Sequence, residues 1–179
     1  MKILIYAGLA AICSIALLYA VGLLLPETRS LSKTTILNAP IDKIYQCITD
    51  NRHWQYRSSL DNLQIVADSD GKEIWLETTG SITIRFETLE KRCPNYYSFK
   101  MEHRLFDGTW VAQLEALSAS RTHFTATENI RYKNPIIRSI GYALMDLDKM
   151  MQAYQHELAE ELARQAFTAQ PETCSSSFK

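Results

Sequence analysis

Glycine is scarce: 179 residues contain six, and no two stand close enough to form a loop around a phosphate. That excludes nucleotide binding of the P-loop or Rossmann kind, which depends on several glycines within one turn. Cysteine is nearly as sparse. Cys13 lies in an apolar run, while Cys47, Cys93 and Cys174 show no CxxC spacing, and three thiols cannot all pair within one chain. Cys47 falls on a helical apolar face and reads as a small buried hydrophobe. His53, His103, His123 and His156 supply no HxH or HExxH pair, so neither a metal site nor a cofactor is expected. No serine stands in a nucleophile elbow. An excess of one charge is missing too. Nineteen Lys and Arg face twenty Asp and Glu, for a net charge of −1, and the cations are scattered, which argues against a nucleic-acid partner.

The chain does have a long apolar run. Residues Ile3 to Leu25 carry no charge and no proline. As a helix rising about 1.5 Å per residue the run would reach about 35 Å, against a hydrocarbon core of about 30 Å. A cleaved secretory signal is the rival reading, but its apolar region is usually about 7–15 residues long and ends at a small-x-small site. Here Ala20-Val21-Gly22 is followed by three more leucines, so a retained transmembrane helix over 3–25 is expected. Orientation cues conflict. Arg29, Lys33 and Lys43 after the span outnumber Lys2 before it, while a short basic start and a long apolar run suit a signal-anchor that exports the body of the chain. The second cue tips the reading to an exported body. Ala7, Ala11, Ala16 and Ala20 form small-xxx-small pairs that permit helix pairing in the membrane.

Beyond a polar connector over 26–30, the patterning changes several times. Leu31 to Leu37 reads as a strand. Asn38-Ala39-Pro40 opens a helix whose Ile41, Ile44, Tyr45 and Ile48 share one face. Arg52 to Leu60 reads as a short helix or loop with Trp54 and Tyr56. Period-two alternation then predicts six strands, with turns at Ser69-Asp70-Gly71, Gly80-Ser81, Cys93-Pro94-Asn95, Phe106-Asp107-Gly108 and Ser118 to Arg121. Asn134-Pro135 starts a last element in which Ile137, Ile140, Leu144, Leu147, Met151, Tyr154, Leu158 and Leu162 recur at steps of three and four. One long amphipathic helix is predicted, with a disordered polar tail over 168–179 after it. Six consecutive strands imply an antiparallel meander with one dry face, and only the long helix can cover that face. The expected class is α+β, a sheet wrapped around the C-terminal helix, preceded by one transmembrane helix.

Two segments carry a family resemblance. NAPIDKIYQCITD (38–50) is similar to the opening of the START-like superfamily, also called SRPBCC or the Bet v 1-like helix-grip fold. TATENIRYKNPIIRSI (125–140) resembles its closing signature, a strand bearing Thr-Glu followed by Asn-Pro at the helix start, and Gly-Thr-Trp near Trp110 agrees as well. Tyr56-Arg57-Ser58 departs from the Trp-Arg-Ser of many relatives. The resemblance implies a helix-grip domain over 31–167 with a cavity between sheet and helix. It also implies kinship with bacterial members that carry one N-terminal membrane helix and are labelled polyketide cyclase-like.

Two functions are compatible with these features. The first is a membrane-anchored module that binds a hydrophobic small molecule or lipid in a pocket lined by Trp54, Tyr97, Phe99, Met101, Trp110, Leu114, Leu144 and Met151. The second is a cofactor-free cyclase or dehydratase type of enzyme. Its candidate acid–base group is Glu128, which shares the apolar face of its strand with Phe124, Ala126, Ile130 and Tyr132. His103 is the other inward polar candidate. For Glu128 a structural hydrogen bond, and for His103 a partly exposed strand end, are the plainer readings.

Overall fold

The computed structural model describes residues 2–168; the tail expected over 168–179 lies outside the described residues except for Thr168, which closes the last helix. Helix α1 (Lys2–Leu24) is the apolar run, and it is long and apolar enough to cross a membrane. Gly22 is its one buried residue. Strand β1 (Thr28–Leu37) begins earlier than the patterning suggests, so the connector expected over 26–30 shrinks to residues 25–27.

Helix α2 (Ile41–Thr49) buries Ile44, Tyr45 and Ile48, and a 3-10 turn (Asn51–Tyr56) comes after it. The meander comprises β2 (Asn62–Ser69), β3 (Lys72–Thr79), β4 (Ile82–Arg92), β5 (Tyr96–Glu102), β6 (Phe106–Ser118) and β7 (Arg121–Tyr132). β1 closes against β7, giving a seven-stranded antiparallel sheet in the order β1-β7-β6-β5-β4-β3-β2. Asp70 and Gly71 both take positive φ in the β2–β3 turn, the conformation a two-residue hairpin loop requires. Register shifts in β2–β3, β4–β5 and β6–β7 mark bulges, which bend strands and let the sheet curl.

The turn expected at Phe106-Asp107-Gly108 falls earlier, between Glu102 and Phe106. Gly108 lies inside β6, where a β-carbon would come 2.6 Å from the Asn129 carbonyl oxygen and 2.9 Å from the Met101 side chain. Its glycine serves close packing, not a turn. The single long helix is also corrected. α3 (Pro135–Leu144) ends at an extended Met145, and α4 (Leu147–Thr168) starts anew with Asp146 accepting the Lys149 amide at 3.1 Å. Leu144 and Leu147 keep the three-residue step across this break, so periodicity alone runs through it. α4 lies in the grip of the sheet, burying Leu147, Met151, Leu158 and Leu162, and its Gln155 amide donates to the Lys33 carbonyl at 3.0 Å.

α3 turns away from the grip and packs on the end of α1. A β-carbon at Gly22 would fall 1.9 Å from the Pro135 carbonyl oxygen, so this contact is between two backbones. Arg138, 6 % exposed, donates from Nη1 to the Gly22 and Leu25 carbonyls at 3.0 Å each, and its Nη2 meets Glu27 at 3.2 Å. Ser139 Oγ donates to the Leu18 carbonyl at 2.6 Å. The carbonyls a helix leaves unpaired at its C-terminus are thus capped by a cation, the sign its dipole favours there.

Candidate functional site

Between α4, the 3-10 turn and the curled sheet lies a cavity of about 470 Å³. The sheet contributes a wall of aromatic and aliphatic side chains because inward positions recur every second residue. Trp75, Phe86, Phe99 and Trp110 come from four adjacent strands, with Trp75 stacked on Phe86 at 5.4 Å and Phe99 on Trp110 at 5.1 Å. Met101, Ala126 and Ile130 continue this wall, α4 adds Met151 and Tyr154, and the 3-10 turn adds Trp54 and Tyr56.

Five charged residues interrupt the apolar lining: Asp50 and Glu157, and three that bear on the site's chemistry, Arg57, Glu77 and Glu128. Glu77, buried on β3, accepts from Arg57 Nη1 at 2.6 Å and Nη2 at 2.9 Å, and from Trp75 Nε1 at 3.0 Å. Both carboxylate oxygens are engaged, the arrangement in which an arginine–carboxylate pair is strongest. Burial disfavours the Arg57 charge, but Glu77 beside it keeps the guanidinium firmly protonated. Arg57 also stands 5.8 Å from the Tyr154 ring centre. Burial pushes the Tyr154 phenol up to about 12, against the pull of Arg57.

Glu128, half-buried on β7, differs. Among the described residues no side chain or backbone amide hydrogen-bonds to its carboxylate, and it opens on the cavity. Burial pushes its carboxyl up to about 7; Arg57 lowers it and Glu77 raises it further. The cavity therefore holds a satisfied ion pair and, near it, a carboxyl group poised between its two forms around neutral pH. Cys47 also lines the cavity, where burial raises its thiol to about 11 and leaves little of the reactive thiolate. Among the described residues no group of three His, Cys, Asp or Glu could hold a metal ion.

The residues anticipated for the pocket divide. Trp54, Phe99, Met101, Trp110 and Met151 line the cavity, together with Glu128. Tyr97 and Leu114, 1 % and 5 % exposed, pack into the core instead. Leu144 is 80 % exposed, because the break at Met145 takes it out of the grip and onto α3. His103 sits in the β5–β6 turn, where its Nδ1 accepts the Leu105 amide at 3.4 Å, and it does not reach the cavity. Sequence reasoning misses Arg57 and Glu77. Glu77 shares parity with Trp75, which marks it as inward, and Arg57 stands in the segment that departs from the family pattern.

Neither a protein-family model nor a curated protein matches this sequence. Solved structures do. The Zhui aromatase/cyclase from a Streptomyces species has a TM-score of 0.63 and 14 % identity, over 78 % of this chain and 96 % of that one. A START superfamily protein from Mycobacterium smegmatis gives 0.59 and 13 %, over 76 % and 98 %. Norcoclaurine synthase from Thalictrum flavum gives 0.60 and 10 %, over 76 % and 87 %. These likenesses show a START/Bet v 1-like helix-grip fold.

Proposed function

We propose that this START/Bet v 1-like chain is a membrane-anchored binding module for a hydrophobic small molecule or lipid that carries one polar end. One observation carries the reading: an apolar cavity of about 470 Å³ with a carboxyl group in its wall, Glu128, that has no partner among the described residues. Sites for drug-sized ligands have about this volume, mostly apolar walls and a few polar groups that fix orientation. A ligand hydroxyl or amine would donate to ionised Glu128, and a carbonyl would accept from its protonated form. Either bond compensates the cost of burying a polar group without a partner. The test uses the full chain in lipid nanodiscs, with native mass spectrometry and solvent extraction of the purified particles. A compound retained in near-stoichiometric amount, and lost in Ala153→Trp at the cavity mouth, supports the reading. An empty cavity in both proteins sinks it.

A second reading is favoured by the same carboxyl group. A general acid or base works best with a pKa near the working pH, and Glu128 lies at about 7. Cofactor-free cyclase or dehydratase chemistry would place a carbonyl compound against it, with Arg57–Glu77 fixing the local charge. Glu128→Gln separates the two readings. If the protein turns over the compound it retains, and the variant keeps the compound but loses turnover, it is an enzyme. Retention without turnover in the parent protein leaves the binding module.

A further inference from the structure

The register of the sheet sets one of its ends beside the end of α1. Thr28 pairs with Arg131, Arg131 with Asp107, Asp107 with Glu102, and Glu102 with Arg85. β1 starts at this end and β7 finishes there, and the β5–β6 and β3–β4 turns fall there as well. The β3–β4 hairpin reaches three residues further, from Arg85 to Ile82, about 10 Å at strand rise. The lining of the cavity reaches this end, where Ser58, Ser59, Thr79, Ile82 and Met150 are exposed and Met145 stands in the α3–α4 break.

Large apolar side chains stand uncovered at this end, as Ile36, Val66, Leu89 and Leu117 do elsewhere on the sheet. Ile140 is 38 % exposed, Leu144 80 %, Met150 51 % and Ile82 50 %. Scattered singly, such residues need no explanation, but a group of them beside an apolar span marks a contact surface. α3 is fixed against α1, since its consecutive Arg138 and Ser139 hold the Leu18, Gly22 and Leu25 carbonyls, which span about 10 Å of α1. If α1 spans a bilayer, α3 shares the depth of its last two turns, where apolar side chains meet the acyl boundary and charged ones meet headgroups. Exposed charges of both signs stand at the same end, Glu27, Asp61 and Asp146 with Arg104, Lys133 and Lys149, and the cations suit an anionic headgroup layer.

We infer that α3 and the tip of the β3–β4 hairpin form a membrane-seated rim, so that the cavity opens onto the lipid surface and not onto bulk water. The surface is continuous with α1, and its occupant is the bilayer that holds α1. This rim rests on the binding proposal and names the source of the ligand: a compound dissolved in the membrane, reaching the cavity past Met145 and Met150 without crossing water.

The test places single spin labels on the full chain in phosphatidylcholine–phosphatidylglycerol nanodiscs, with the native cysteines replaced by alanine. Labels at Leu144→Cys and Ile82→Cys are compared with Leu117→Cys, an exposed position at the opposite end of the sheet, before the β6–β7 turn. Collision with lipid-soluble oxygen relative to a water-soluble nickel chelate is expected to be severalfold higher at the first two sites. Equal nickel access at all three overturns the inference. So does shielding of Leu144 from both reagents, which would assign the face to a second copy of the chain. Ligand content of the same particles is measured separately: a wet rim around an occupied cavity sinks only this inference, and a lipid-seated rim around an empty cavity sinks only the binding proposal.

Discussion

Glu128 and Glu77 stand in one cavity with opposite fates, and the difference is one of partners. Glu77 has Arg57 and Trp75; Glu128 has none among the described residues. Because Glu128 holds its proton up to about pH 7, the folded state binds more protons than the unfolded state between the ordinary carboxylate value and 7. Stability should therefore be level at lower pH and decline as pH rises through that window, by at most about 3 kcal/mol. Thermal melts from pH 4 to 8 should show this decline, and Glu128→Gln should flatten it. An equal slope in both proteins would count against a half-buried carboxyl group with no partner among the described residues. Removing Arg57 instead strands the Glu77 charge. Arg57→Met should cost about 3–5 kcal/mol, while Arg57→Met with Glu77→Leu should cost less, because no charge is then left unpaired. Chemical denaturation of both variants measures the difference. Glu128 is legible in the sequence because its strand alternates cleanly. The ion pair is not, since Arg57 and Glu77 belong to different elements and meet only through tertiary packing.

Among the elements, the strands are the most legible and the helical region after Asn134 the least. Alternation gives each strand its inward face, and Asp70-Gly71 and Gly80 mark real turns. The α3–α4 break escapes because periodicity passes through it unchanged. Its one local signal is Asp146, a residue that starts helices by accepting a backbone amide. Asp146→Ala should therefore cost about 1 kcal/mol, read by denaturation, without moving the boundary between α3 and α4. The α1–α3 contact makes a sharper prediction. Gly22→Val would drive a side chain into the Pro135 carbonyl, and should free α1 from the body while leaving the grip folded. Distances between spin labels on α1 and β6 should broaden from one narrow peak to a wide distribution, with the melting temperature nearly unchanged. A narrow distribution in the variant would mean that residues 25–27 fix the orientation by themselves.

At the scale of the whole molecule, an apolar helix, a curled sheet and the cavity it encloses with α4 act as one assembly. A tether of a few residues would let the body swing, but the capping of α1 by Arg138 and Ser139 fixes it instead. Ala153→Trp should then narrow the mouth and reduce retained ligand severalfold at unchanged melting temperature, as native mass spectrometry would show.

The sequence by itself determines most elements and their faces: the apolar span, the antiparallel meander, the amphipathic cover and the inward side of Glu128. Local patterning suffices for these, because burial on one face imposes a period on the chain. Only the tertiary structure decides which inward residues line open space and which fill the core, as Phe99 and Tyr97 illustrate. It alone brings Arg57 to Glu77 and seats α3 on α1. Those outcomes depend on how far the sheet curls and where a helix breaks, which are set by contacts between residues far apart in the chain.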